Sequence, residues 1–408
     1  MVTGRILRGS AHWNYCERGT LTEHVAGFTS TGSKRPESLF GARHADLPSR
    51  MVRSSGCRVW DENGLEYTDY IMGLGAVALG YGHPEVTRAV AAAAEAGVVG
   101  PLPPLLEEEV AGQISRLMPW VEQLRFLKTG AEAMAAAVRL ARVATRRERV
   151  LGCGYHGWLD WSQASEGVPR STRDLYAELP FNDVEASRRL IRAAGDSLAA
   201  VVFEPVILRA PDPEWLAVLR EDTEKVGALL VADEIKTVCR LAVGGACERY
   251  GIRPDLVVMG KAIANGFPLA AVGGRSSVLA GVSRTWISST LATEFVSLAA
   301  ARATLDVMVT CRVPQHLGQV GSRLLAGLTS LHQEYPQLIA GVDGIPEMCF
   351  LQYVDEDVSQ AVTAECARGR VLFKRSAYNF VSLAHEPSVI DGTLEVLDGA
   401  LSAVAKPA

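Results

Sequence analysis

The sequence predicts an α/β protein built on a mostly parallel sheet, with a smaller α+β unit at its C-terminus. Three observations carry this. Short apolar runs alternate with helical stretches through the middle of the chain, the pattern of strands joined by crossover helices. The runs at 228–232 and 256–259 are apolar throughout rather than alternating, as strands buried on both faces are. Each then meets charge, at Asp233-Glu234 and at Gly260-Lys261. Strand carboxyl ends are where ligands sit in open α/β sheets.

Length and composition set the outer bounds. The 408 residues suggest about two domains. With 48% hydrophobic and 21% charged residues, the chain reads as an ordinary globular protein. A net charge of −5 gives no basic excess for nucleic acid or an anionic membrane. No apolar run approaches the roughly 20 residues a membrane span needs, and no apolar segment after Met1 reads as a secretory signal. Eight cysteines without a CxxC pair are expected to be reduced thiols of a cytoplasmic protein. His156 has no histidine or cysteine pattern of zinc type around it, so no metal site is expected.

Taken in order, residues 1–60 lack clear periodicity. They read either as an arm crossing other parts of the protein or a partner subunit, or as a loosely packed leader. Asp61-Glu62-Asn63-Gly64 is a turn between strand-like runs at 57–60 and 65–71. Helices are expected at 84–96 and 105–117, then a strand at 124–127. That strand runs into Lys128-Thr129-Gly130-Ala131-Glu132-Ala133, which opens a helix to about 146 with Met134 and Val138 in its apolar stripe. Strands at 198–203 and 269–272, a helix at 213–226, and helices at 294–310 and 317–334 follow. The C-terminal unit has strand-like runs at 348–354, 370–373 and 380–383 and a last helix near 389–403.

Several residues carry candidate chemistry. An aspartate and a lysine at one sheet edge are what a pyridoxal phosphate enzyme needs, one for the pyridinium nitrogen and one for the Schiff base. Taken alone, either residue reads first as an ordinary solvated charge at a strand end. The turn at Thr129-Gly130-Ala131 suits a phosphate, because first-turn N–H groups and the helix dipole favour an anion there; a plain capped turn explains the same residues. Gly152-Cys153-Gly154-Tyr155-His156-Gly157 matches G-x-G-x-x-G, yet it sits mid-chain and opens no clean helix. A nicotinamide site is therefore rejected. The loop instead offers Tyr155 as a flat face for a cofactor ring.

These motifs, in this order, resemble the class III aminotransferases, which have the fold-type I pyridoxal phosphate architecture. The group includes glutamate-1-semialdehyde aminomutase and ω-aminotransferases. The resemblance runs from about Cys57 to the end and rests on the turn at 61–64, Gly130-Ala131-Glu132-Ala133, Tyr155-His156-Gly157, Glu204-Pro205-Val206, Asp233-Glu234, Pro254-Asp255 through Lys261, Phe267-Pro268, Thr290-Leu291, and Phe380-Val381-Ser382 with His385. It implies an N-terminal segment at 1–60 contributing to the small domain and dimer, a large cofactor domain at 61–310 and a small domain at 311–408. It implies pyridoxal 5'-phosphate as cofactor, with Lys261 as the condensing amine and proton shuttle and Asp233 on the pyridine nitrogen. Ile235 and Tyr155 would pack on the two ring faces. Gly130 and Ala131 would donate to the phosphate, Thr290 would reach the phosphate of a neighbouring subunit, and Glu204 would lie near the substrate.

Two departures bear on substrate. Ala131 stands where the family usually has serine or threonine, and Val238-Cys239-Arg240 replaces a common Gly-Phe-Arg. Lys236 is expected to be structural. Trp13 to Glu17, Ser33 to Pro36 and Lys374 to Asn379 look most similar to the branch acting on aminosugars in aminoglycoside biosynthesis. The implied reaction is transfer of an amino group from a donor to a keto or aldehyde substrate. Its rival is an epimerase or aminomutase on the same residues, and Arg240, Arg368, Arg370 and Arg375 are the candidates for a carboxylate clamp.

Overall fold

The computed structural model describes residues 24–43, 45–376 and 378–406. Trp13 to Glu17 and Ala377 lie outside them. The N-terminal part forms three short strands, β1 (Met51–Ser55), β2 (Arg58–Asp61) and β3 (Glu66–Asp69). The central part carries β4 (Gln123–Leu127), β5 (Arg149–Cys153), β6 (Tyr176–Glu178), β7 (Leu198–Phe203), β8 (Leu229–Asp233), β9 (Leu256–Met259) and β10 (Ala270–Gly274). The C-terminal part adds β11 (Ile339–Ile345), β12 (Met348–Tyr353), β13 (Val371–Leu372) and β14 (Asn379–Phe380).

The central strands make one seven-stranded sheet in the order β4-β10-β9-β8-β7-β5-β6. β6, β5, β7, β8 and β9 are parallel, while β10 is antiparallel to both β9 and β4. β4 therefore runs the same way as β9. Every residue of β7 to β10 is buried, as the unbroken apolar runs predict. The period-2 geometry of a strand sorts them onto two faces. Val201, Phe203, Leu230, Ala232, Val257 and Met259 enter one core, together with helices Leu105–Leu117 and Phe295–Thr310. Ala200, Val202, Leu229, Val231, Leu256 and Val258 enter the other, against the Gly130–Thr145 helix. Asp233 continues the parity of Leu229 and Val231, so its side chain belongs to the face of that helix.

Asp255 sets the alignment of β8 with β9. Its Oδ2 accepts from the Leu230 N–H at 2.7 Å, and Arg220 and Arg275 pair with its carboxylate at 3.1 and 2.6 Å. This gives the Pro254-Asp255 motif a structural purpose.

The N- and C-terminal segments interlock. β13 lies parallel to β3 at the edge of the sheet β1-β2-β3-β13, and β11-β12-β14 form a separate sheet. The β2–β3 hairpin spans the expected boundary at 60/61. Phe40 and Leu47 pack with Ala364 and Ala367 of the Glu356–Arg368 helix. Several elements were not read in the sequence, β1, β5 and β11 among them. β6 is three residues long. The Val184–Ala194 and Glu356–Arg368 helices hold many polar and charged residues on their exposed faces, although Asp183 and Asp355 cap them in the ordinary way.

His385 is buried where the C-terminal segment meets the N-terminal one. Its ring lies 4.6 Å from that of Tyr70 and its Nδ1 accepts from the Ser382 N–H at 3.0 Å. Burial pushes the imidazole down to about 3. Between that value and the ordinary value near 6.5, the unfolded chain binds a proton that the folded chain refuses. Stability should therefore fall as pH drops through this window, by at most about 1.4 kcal/mol per pH unit from this group. Urea midpoints measured from pH 7 to 4 should decline more steeply in the native protein than in His385→Gln. Identical slopes would remove His385 as a contributor.

Candidate active site

Five loops converge at the carboxyl edge of the central sheet, and each supplies candidate residues. Beyond β4, the chain turns into the Gly130–Thr145 helix. Thr129 caps it: its Oγ1 accepts from the Glu132 N–H at 3.2 Å, and Glu132 Oε2 accepts from the Thr129 N–H at 2.9 Å. This reciprocal box uses up the threonine side chain. The Gly130 and Ala131 N–H groups are the first-turn donors that the box leaves over. A Cβ on Gly130 would stand 2.6 Å from Ile235 Cδ1, and one on Gly157 would stand 2.9 Å from Ala131 Cα. The turn, the β8 end and the β5 loop thus meet at a cradle that added Cβ atoms would fill. Gly157, at φ +99°, also has a conformation that suits glycine.

Beyond β5, Tyr155 and His156 separate. Tyr155 is 68% exposed, so its ring is free to pack on something else, whereas His156 is 2% exposed. His156 Nδ1 lies 2.8 Å from Asp233 Oδ2, and its ring stacks on Trp161 at 5.9 Å. With an ionised carboxylate as acceptor, the ring donates from Nδ1. Asp233 Oδ1 accepts from the Ile235 N–H at 3.2 Å. The carboxylate is thereby oriented by two donors. This role of His156 was not read from the sequence, where only its place beside Tyr155 hinted at it.

Beyond β8, the second carboxylate of the pair turns inward. Glu234 is fully buried and accepts from the Thr237 hydroxyl, the Ala246 N–H and the Cys247 N–H. It closes the 234–247 loop and stands outside the chemistry. Its neighbour Lys236 lies 2.6 Å from Glu204 Oε2, beyond β7. Glu204 Oε1 accepts from the Tyr155 N–H at 2.7 Å. Lys236, expected to be structural, thus stands in the candidate site.

Beyond β9, Lys261 follows an extended Gly260 and takes φ +50°, a left-handed value that costs a non-glycine residue energy. Its amine is pushed below the ordinary lysine range. Burial is the main cause and the Lys236 charge the second, while the Asp233 and Glu204 carboxylates pull the other way. Thr290 is exposed, and among the described residues no hydrogen bond joins it to this cluster. The nearby Lys128 and Glu294 pair at 2.6 Å, and Glu294 caps the Phe295–Thr310 helix.

The four candidate arginines are committed elsewhere. Arg240 is fully buried and donates to the carbonyls of Gly75, Glu347 and Val381 at 3.1, 3.4 and 2.8 Å. Arg368 pairs with Asp46 and Glu365. Arg375 pairs with Glu356, and Arg370 donates to the Tyr67 hydroxyl.

A model of the family described as aminotransferase class-III matches residues 40–397. The chain belongs to this family. Glutamate-1-semialdehyde 2,1-aminomutase of Neisseria gonorrhoeae is 33% identical to this class III aminotransferase-family chain, covering 94% of it and 98% of the relative. Among solved structures, the FumI protein of Sphingopyxis sp. MTA144, in its PLP internal aldimine form, superposes with TM-score 0.84 at 27% identity, over 90% of this chain and 93% of its own. The β-phenylalanine aminotransferase of Variovorax paradoxus does so with TM-score 0.82 at 27% identity, over 93% and 91%. The α/β fold-type I architecture expected from the sequence is the one this family member has.

Proposed function

We propose that this protein is a pyridoxal 5'-phosphate-dependent aminotransferase acting on a keto or aldehyde substrate, with an oxidised aminosugar carbon of aminoglycoside biosynthesis as the favoured acceptor. The observation that carries the reading is the oriented Asp233 and the desolvated Lys261 at one sheet edge, beside first-turn donors able to hold a phosphate. When bound, pyridoxal 5'-phosphate supplies a ring that accepts electrons and acidifies the C–H beside the substrate nitrogen. Asp233, steadied by His156, holds the proton on the ring nitrogen. Gly130 and Ala131 hold the phosphate through their N–H groups, and Tyr155 and Ile235 flank the ring. Lys261 would first hold the cofactor and then, as a free amine, would take the proton from the substrate carbon and pass it to the cofactor's reacting carbon. Glu204 faces the substrate side. Intact Lys261 and Asp233 argue against a non-catalytic binder on this fold.

Arg240, Arg368, Arg370 and Arg375, the candidates for clamping a donor carboxylate, are held by other partners. The aminomutase reading has its own support in the name of the Neisseria relative. The protein acts in the cytoplasm, on the strength of seven free thiols among the described residues. Among those residues no helix is long and apolar enough to cross a membrane. It works as a homodimer in which Thr290 reaches the phosphate of the neighbouring copy. Val98, Val99 and Leu102 support this: they are exposed, and the Val98 carbonyl is tied to the Phe295 N–H at 2.9 Å, four residues past Leu291, itself exposed.

The test is a half-reaction screen. Donor amines should bring the bound cofactor to its amine form, and a keto or aldehyde acceptor should be required to complete the cycle. A rearranged amine formed from one substrate with no acceptor would establish the isomerase instead. The same preparation should sediment as a dimer; a fully active monomer would take Thr290 out of the site.

A further inference from the structure

The family assignment makes no use of Lys236, yet its surroundings are built. The paired strands β8 and β9 align residues 25 positions apart, Val231 with Leu256 through Asp233 with Val258. The pairing ends there, and Lys236 and Lys261 follow in the two loops that leave these neighbouring strand ends. The segments stay close there, since a Cβ on Gly260 would meet Ile235 at 3.7 Å. The Lys236 ammonium is clamped between Glu204 Oε2 at 2.6 Å and the Tyr378 ring, 4.4 Å from its centroid. Both clamps are themselves fastened. Glu204 holds the Tyr155 N–H, and the Tyr378 hydroxyl accepts from the Leu208 N–H at 2.6 Å.

Accepting Lys261 as the reacting amine, we propose that Lys236 is a positioning residue whose clamped positive charge disfavours protonation of Lys261 and keeps that amine ready to condense and to take a proton. A neighbouring cation is one recognised way to activate a lysine. The charged groups around Lys261 sort accordingly. Lys236 and Arg240 oppose its protonation, and Asp233 and Glu204 favour it. Both carboxylates, however, are already engaged, Asp233 by His156 and Glu204 by Lys236 and the Tyr155 N–H. Glu234 is turned into the 237–247 loop. Lys236 itself stays charged: burial is the largest single influence and works against its charge, but Glu204, Tyr378 and Asp233 together outweigh it and the shift is upward.

The experiment is competitive acetylation of the full-length, cofactor-free protein across pH, with the Lys261 and Lys236 peptides quantified by mass spectrometry. Lys261 should label with a midpoint below that of surface lysines. In Lys236→Met the midpoint should rise by about one pH unit, which is about a tenfold loss of Lys261 labelling near neutrality. Lys236→Arg, which restores the charge, should keep the low midpoint. An unchanged midpoint in Lys236→Met would overturn the proposal. If that variant fails to fold because Glu204 is left buried and unpaired, the double variant Lys236→Met, Glu204→Gln removes both charges. Its midpoint should lie above that of Glu204→Gln alone, which keeps the Lys236 cation, and equal midpoints in those two variants would overturn the proposal. Borohydride trapping of the holoenzyme, followed by peptide mapping, separates the two readings. Cofactor fixed to a residue other than Lys261 would defeat the assignment of the reacting amine, whatever the acetylation midpoints show.

Discussion

Replacing Lys261 with alanine should abolish turnover while the protein still folds and takes up cofactor. The expected fall in kcat is at least about 10⁴-fold, since the substitution removes both the covalent attachment and the proton carrier. Folding should survive for local reasons. The Lys261 side chain makes no ion pair among the described residues, and its amine is held in surroundings that penalise its charge. Its left-handed backbone, at φ +50°, is no worse for alanine than for lysine. Equilibrium dialysis should find cofactor bound to Gly130, Ala131 and Asp233 without covalent linkage, and borohydride should fix none of it. A small amine added to the variant should restore a fraction of the proton transfer. Full activity in Lys261→Ala would transfer the role elsewhere, and Lys236 would be the first residue to suspect.

Asp233→Asn should cost about 10³-fold in kcat, with cofactor retained. The two side chains have the same shape, but asparagine has one acceptor oxygen: it can keep the bond from the Ile235 N–H, and the amide NH2 then faces His156 Nδ1, which accepts from it in the other tautomer. The negative charge is what disappears. A neutral amide does not stabilise a protonated ring nitrogen, and without that proton the ring draws electrons poorly. The stability cost should be small, because the amide keeps the Ile235 bond, can donate to His156 once the ring changes tautomer, and removes a buried charge. Steady-state kinetics on the variant should show the loss in kcat rather than in cofactor occupancy. Activity within tenfold of the native enzyme would mean that the Asp233–His156 pair serves the fold alone.

Much of the frame was legible in the chain. The runs at 228–232 and 256–259 predicted strands buried on both faces, and β8 and β9 are buried throughout. The helix opening at Gly130 begins where the Thr129-Gly130 signal put it. Other boundaries moved. The helix expected from Leu317 starts a turn earlier at Val313, with Pro314 in its first turn. The strand-like run at 380–383 pairs only through Asn379 and Phe380. Arg240 shows the limit of the method. It was one of four arginines open to clamping a donor carboxylate, yet it is a buried staple across Gly75, Glu347 and Val381.

By itself the sequence determined that buried strands alternate with helices through the middle of the chain, and that an acid and an amine stand at strand ends, because burial on two faces and helix capping are written in local residue order. Only the tertiary structure decided how those ends face one another. It set His156 against Asp233, clamped Lys236 between Glu204 and Tyr378, and committed the four arginines to other partners. Those contacts join residues far apart in the chain, brought together by the strand order of the sheet and the packing of the C-terminal segment. No local periodicity encodes which loop will come to lie beside which, so the charge environment of Lys261 could be read only once the strands were in place.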